Sequence, residues 1–458
     1  MNPSDLVKQN IKDHLLSNYT IDKNIHVIGF GKAAVPMVLA AEAMLFDDVM
    51  TSFALVPHNT HIPKVSNLKT KFIFGAKNNL PDDKSIEGTK IIMDNLLTIP
   101  KEHIIIFLIS GGGSSLLEAP IPNVSIKELV HLILEITQCG ADISQLNRVR
   151  QALSTVKGGQ LIEKTKGPKI SFILSDIVND PVNLIASGPT FIDVDKNRKT
   201  RYFEAMSTLT ELNLNVSISI STAMRNYAFE KYEFEEKSNV LEELKSSVKN
   251  IVIGNNKKAL STLKEELEHK IKCFIVTDEL QNEASVIGRK MADIISSFSS
   301  SNKINLNFFN KTDYDVKDDK IALLFGGEWV MKMKRNNNTN IGLGGRNQHL
   351  ILTALQWLIL NSKSENLKDF LLISFNTDGN DGKSPENAAA AGAFINKEDV
   401  IHFQGVDGDL SDLEDKINSY DSYNFWSNYR NGAKHFITSK TNTNLMDILV
   451  LVLDKSKL

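Results

Sequence analysis

The 458-residue sequence has only two cysteines, Cys139 and Cys273, which excludes a disulfide framework and a cysteine-built zinc site. No apolar run approaches the roughly 18 residues that a membrane-crossing helix needs, so nothing in it reads as a span. A basic excess is also missing: 52 Lys and Arg against 55 Asp and Glu give a formal charge of −3. That balance argues against nucleic acid as the main partner. The ten histidines show no metal-ligand spacing. The G-x-S-x-G elbow of serine hydrolases and the HRD and DFG motifs of protein kinases are absent. Met1 to Tyr19 carries Asp5 and Asp13 and has no central apolar block, so it reads as a surface helix and not as a signal or transit peptide. The expected location is cytoplasmic, with a mitochondrial one as the open alternative.

What is present is an ordinary globular composition, 42% hydrophobic and 23% charged, on a chain long enough for about two or three domains. Short apolar runs recur, each followed by a Gly- or Ser-marked turn and a helix-period segment: Ile25 to Phe30, Ile104 to Ile109, Ile170 to Leu174, Ile251 to Ile253, Cys273 to Val276, Ile321 to Phe325 and Leu371 to Phe375. Runs without polar alternation are strands buried on both faces, and their alternation with helices defines an α/β class with parallel sheets. The Glu- and Lys-rich stretch from Phe229 to Lys249 reads as a solvated helix near a domain join, placed at residue 245, which gives domains 1–245 and 246–458. Asn336 to Asn340 reads as a polar loop tip.

The chemistry-bearing motifs sit at strand ends. Gly29-Phe-Gly31-Lys32 closes one strand and opens a helix, where free N–H groups suit phosphate. The same pattern fits a dinucleotide fingerprint, but the next strand ends in Pro57-His58 with no acid for a ribose hydroxyl. Lys32 is then either a phosphate point charge or a solvated surface lysine. Ser110-Gly111-Gly112-Gly113-Ser114-Ser115 offers consecutive amides and hydroxyls as an anion nest, without the lysine of a P-loop. Asn147, Arg150, Ser154 and Lys157 share one helix face, either lining an anion cleft or facing solvent. Asp176 lies at a strand's carboxyl end, where it suits Mg²⁺, a substrate proton or a helix cap. Gly326-Gly327-Glu328 ends another strand, and Gly345-Arg346-Asn347-Gln348 opens a helix with a cation at the end that prefers anions, which makes sense if a polyanion docks there. Asp378 and Asp381, between glycines, form a third acidic loop of the kind Mg²⁺ accepts.

In this order, and together with Lys157-Gly158-Gly159 and Ala186-Ser187-Gly188-Pro189-Thr190, these motifs resemble the glycerate 2-kinase family, from Val27 to Val452. The resemblance implies two Rossmann-like α/β/α domains, the second of the MOFRL type, with mostly parallel sheets and a cleft between them. It implies ATP and Mg²⁺ as cofactors, D-glycerate as substrate and phosphorylation of its 2-hydroxyl, with neither nucleic acid nor membrane as a partner. The alternative is a weak or inactive nucleotide- or anion-binding protein that keeps the fold. Lys32 and Arg346 match the positions that the family uses in catalysis, and Asp176 would orient or deprotonate the hydroxyl. The loop from Ser110 to Ser115, with Gly345 and Asn347, would hold phosphate. Arg150 or Lys157 would clamp the glycerate carboxylate, and Asp378, Asp381 or Asp180 would serve Mg²⁺. Three segments depart from the family pattern: Asn78 replaces its histidine, His349 an acid, and Ser439 to Asn444 its Gly-Pro-Thr-Gly-Thr-Asn. The residues leave the oligomeric state open.

Overall fold

The computed structural model describes all residues except 1, 23, 231–239, 316, 333–340, 386–387, 406–409, 439–440, 442 and 456–458. The loop tip read at Asn336 to Asn340 therefore lies outside the described residues, as does much of the Glu- and Lys-rich stretch. The chain divides into two compact units, Met1–Gly254 and Asn255–Leu458.

The first unit is built on β1 (Ile25–Phe30), β2 (Val49–Pro57), β3 (Thr70–Gly75), β4 (Ile104–Ile109), β5 (Lys169–Leu174) and β6 (Val248–Gly254). They form one sheet in the order β3-β2-β1-β4-β5-β6, with every neighbouring pair parallel. β1, β4 and β5 are buried at every position. Alternation explains this: Val27 and Ile106 join a core on one face, while Ile28 and Phe107 join a core on the other. Helix starts are written into the sequence as capping boxes, such as Asp82 with Ser85 before Asp83–Leu96 and Asp142 with Gln145 before Ile143–Ala152. The strand order reverses between β1 and β4, and that reversal creates a crevice at the carboxyl ends of the strands.

The helix Pro3–Asn10 and its continuation Ile11–Leu16 lie at the surface as expected, with Asp5, Lys8, Gln9, Lys12 and Asp13 exposed, and bury one stripe, Val7, Ile11 and Leu15, against the core that holds Ala34 and Val38. The join near residue 245 precedes β6, which pairs with β5, so the first unit runs on to Gly254.

The second unit contains β7 (Lys272–Leu280), β8 (Lys303–Ile304), β9 (Tyr314–Asp315), β10 (Lys320–Gly327), β11 (Asp369–Asn376), β12 (Ala390–Asn396), β13 (His435–Ile437) and β14 (Asp447–Asp454). Its main sheet has the order β13-β12-β11-β14-β10-β7, and β8 pairs with β9 alone. The α/β class holds in both units. The parallel pattern holds throughout the first sheet, but in the second only β7 and β10 are parallel. A parallel neighbour needs a crossover, usually a helix, and the described residues between β11 and β12 contain none, so β12 returns antiparallel. Helices Ala284–Ser301 and Arg346–Asn361 pack on this sheet through Ile287, Met291, Leu350 and Leu355. Among the described residues no helix is long and apolar enough to cross a membrane.

Candidate active site

In the first unit three loops meet the crevice at the strand-order reversal. β1 runs into Gly31-Lys32, β4 into the Ser110–Ser115 loop, and β5 into Ser175-Asp176. The Lys32 N–H donates to the Gly111 carbonyl at 2.8 Å, and the Ala33 N–H to Ser110 Oγ at 3.0 Å, so the first two loops are laced together. The aliphatic stem of Lys32 lies against Gly112. Gly111 is there for closeness: a Cβ at that position would collide with the Asp176 carboxylate. Lys32, the glycine loop and Asp176 thus form one half-exposed group. All three loop hydroxyls have protein partners already. Ser115 Oγ donates to the Asn79 carbonyl at 2.6 Å, and Ser110 Oγ accepts from Ala33. Ser114 Oγ lies 3.0 Å from Ser187 Oγ, which donates to Asn147 Oδ1 at 2.8 Å.

The expected single helix face does not form, because the helix Ile143–Ala152 ends before Ser154 and Lys157; Asn147, Ser154 and Lys157 are buried, and Arg150 is partly exposed. Lys157 is 0% exposed; its Nζ lies 2.9 Å from Glu118 Oε2 and donates to the Leu117 carbonyl at 2.6 Å. Burial pulls the Lys157 ammonium below its usual range, and Glu118 opposes that pull. Lys157 is therefore a structural cation, which corrects its expected role as a substrate clamp. Arg150 is partly exposed and desolvated, and it shares Glu118 as counter-charge, so two cations surround one carboxylate.

In the second unit Arg346 lines a cavity of about 350 Å³, together with Met331, Ile341, Asn376, Lys383 and Tyr420. Its Nε lies 2.6 Å from Asp447 Oδ2 and its Nη1 3.0 Å from Glu328 Oε1. Burial works against the Arg346 charge, but Asp447 and Glu328 outweigh it and hold the guanidinium above its ordinary range. Asp447 is fully buried, and desolvation pushes its carboxyl up to about 7 against the pull of Arg346.

The start of helix Arg346–Asn361 is occupied by the protein's own carboxylate. Asp381 Oδ1 accepts from the Asn347 N–H at 3.1 Å and Asn347 Nδ2 at 3.0 Å, and Oδ2 accepts from the Gln348 N–H at 2.9 Å. Gly345 permits this, since a Cβ there would strike Asp381. With Asp381 1% exposed and both oxygens engaged, it caps the helix and does not serve as a metal ligand. Asn347, fully buried, spends its side chain on Asp381, Asp447 (2.8 Å) and Ser374 (2.5 Å), so its expected phosphate contact gives way to internal bonding, while Gly345 lines the cavity beside Arg346.

Residues 1–227 match a family model described as a domain of unknown function (DUF4147), and residues 321–447 match the MOFRL family. An uncharacterized protein of Caenorhabditis elegans is 35% identical, covering 99% of this chain and 93% of its own. The crystal structure of a glycerate kinase from Thermotoga maritima superposes with a TM-score of 0.77 at 26% identity, covering 99% of this chain and 96% of that one. The chain belongs to the glycerate 2-kinase family. A relative from Danio rerio named glycerate kinase is 29% identical over 96% of this chain and 91% of its own.

The family's motif order located Lys32, Asp176 and Arg346, but it did not point to their counter-ions. Glu118, an acid stranded after Leu116-Leu117, and Asp447, an acid just before the apolar run Ile448 to Leu453, are the sequence signals that were there to find. Among the described residues no group of three His, Cys, Asp or Glu side chains is arranged to hold a metal ion. His349, where the family has an acid, is buried and stacks on Tyr420, and burial lowers its imidazole to about 4. Within the departing segment Ser439 to Asn444, residues 439, 440 and 442 are outside the described set. Thr441 Oγ1 donates to the Thr377 carbonyl at 2.6 Å, which ties the segment to the Asp378 loop.

Proposed function

We propose that the protein transfers the γ-phosphoryl group of ATP to the 2-hydroxyl of D-glycerate, giving 2-phosphoglycerate and ADP. The observation that carries this reading is the grouping of Lys32, the glycine loop and Asp176 at the strand-order reversal, in a chain alike over nearly its whole length to proteins named glycerate kinase. Phosphoryl transfer asks a protein chiefly for positioning and for cations around the transferring oxygens. In this reading Lys32 and Arg346 both act on the γ-phosphoryl group and offset the charge that grows there. The backbone of the Ser110–Ser115 loop holds phosphate oxygens, and Asp176 orients the glycerate hydroxyl and takes its proton. Arg150, whose charge exceeds what Glu118 can balance once Lys157 has taken its share, clamps the glycerate carboxylate.

Mg²⁺ takes hard oxygen donors. Asp381 does not fit, because its oxygens are committed to the helix start. Asp378 of the second unit, or Asp180 of the first, is a partly exposed carboxylate of the required type and would hold it together with phosphate oxygens. When bound, the ion supplies positive charge beside the phosphate oxygens. The alternative of a binding protein without turnover gains nothing from relatives named as kinases.

The test is incubation of the full chain with ATP, Mg²⁺ and D-glycerate, with ADP measured by a coupled assay and the product by ³¹P NMR. The reading predicts 2-phosphoglycerate. The 3-phosphate would overturn the regiochemistry, and absence of ADP would overturn the function.

A further inference from the structure

An arginine in the first turn of a helix loses rotamer freedom when it is held and sits at the end that repels it. Arg346 is nonetheless held on two sides. The two holders differ. Glu328 makes a single contact, at 3.0 Å to Nη1, and its side chain is 42% exposed, a geometry worth little in water. Asp447 is 0% exposed and is itself fixed: Oδ1 accepts from Asn347 Nδ2 at 2.8 Å and from Asn376 Nδ2 at 3.1 Å, while Asn347 is anchored in turn by Ser374 Oγ at 2.5 Å. The chain of contacts runs from β11 through the helix start to the first residue of β14 and ends on Arg346 Nε. Asp447 Oδ2 lies in ion-pair contact with Nε and Glu328 Oε1 accepts from Nη1, which leaves Nη2 without a contact among the described residues, and Arg346 lines the cavity.

We propose that Asp447 is a positioning residue for phosphoryl transfer: by holding Arg346 through Nε it presents the Nη2 edge to the anion taken up in the cavity. This rests on the reading of Arg346 as a phosphoryl contact. The side chain of Asp447 does not reach solvent and acts only through Arg346. Glu328 is the lesser holder, and its loss is tolerated.

Four full-length proteins test this: wild type, Asp447→Asn, Arg346→Ala and the double variant. Asp447→Asn should lower kcat for D-glycerate phosphorylation about 10- to 100-fold with little change in the KM for D-glycerate. In the Arg346→Ala background the same change should have no further effect, a non-additivity that a merely structural role would not produce. Glu328→Gln should stay within about 3-fold of wild type. An equal loss in both backgrounds, or no loss in either, overturns the proposal. Where Asp447→Asn does not fold, as judged by circular dichroism, Asp447→Ser takes its place. Wild-type protein without turnover would count against the functional reading alone. Calorimetry with inorganic tripolyphosphate on the same four proteins then decides, with the same non-additivity expected in Kd. Equal losses in both backgrounds, or no binding by wild type, overturn the proposal there too.

Discussion

Replacing Glu118 by alanine should be among the most destabilising single changes in the first unit. The reason lies in charge bookkeeping at a dry site. Lys157 is fully buried, and its ammonium has two partners, Glu118 Oε2 at 2.9 Å and the Leu117 carbonyl at 2.6 Å. Arg150 draws on the same carboxylate. Without Glu118, the buried Lys157 ammonium keeps the Leu117 carbonyl as its remaining partner and stands beside the Arg150 charge. Breaking a buried ion pair from one side costs about 3–5 kcal/mol, because the surviving charge has lost both its hydration and its partner. At about 2–4 °C per kcal/mol for a unit of this size, the melting temperature should fall by about 6–20 °C. Scanning calorimetry on Glu118→Ala measures it directly. The double variant Glu118→Ala with Lys157→Met should recover most of the loss, since an apolar pair of similar volume is often as stable as the ions it replaces. Lys157→Met should also leave the KM for D-glycerate near that of wild type. A Glu118→Ala melt within about 2 °C of wild type would refute the reasoning about buried charge.

Gly111→Ala should push the Asp176 carboxylate off the glycine loop and cut kcat by about 10²-fold or more if Asp176 handles the proton, with the melting curve little changed; a wild-type kcat removes Asp176 from that role. Asp381→Ala should destabilise the start of helix Arg346–Asn361 by about 2–3 kcal/mol, read as faster amide exchange at Asn347 and Gln348, and unchanged exchange contradicts the capping role. His26, buried and 3.0 Å from His103 Nδ1, is lowered to about 4 by burial and then by that neighbour. Its folded state refuses a proton that the unfolded chain accepts near 6.5, so stability present above that pH should be lost as the pH falls toward 4. The loss should be about 1–3 kcal/mol in urea midpoints relative to His26→Gln. Parallel midpoints for the two proteins across that range would contradict it.

The first sheet was legible because burial on both faces of β1, β4 and β5 makes these runs predominantly apolar, broken only by His26 in β1 and by Lys169 and Ser171 in β5, and such a run has few other uses. β3, with a half-exposed face, and the strands β12 and β13 carried no comparable signal, whereas the apolar run Ile448 to Leu453 of β14 is a signal of the same kind. β12 is Ala- and Gly-rich (Ala390-Ala391-Gly392-Ala393), and its antiparallel return depends on connections that periodicity does not encode. The glycine motifs were legible as places of close approach, yet the sequence leaves open what approaches. At Gly111 and Gly345 a carboxylate of the protein itself approaches, Asp176 and Asp381. Lys157 shows the same limit. A cation at helical spacing looks identical in sequence whether it meets substrate or Glu118, because the partner is distant in the chain, and the helix in fact ends at Ala152, before Lys157.

The measurement that bears most directly on the central claim is steady-state kinetics of Lys32→Ala and Arg346→Ala with ATP, Mg²⁺ and D-glycerate. The account predicts a fall in kcat/KM of roughly 10²- to 10⁴-fold for each, with circular dichroism unchanged, as expected for cations that act on the transferring phosphoryl group. Turnover near that of wild type by either variant would contradict it.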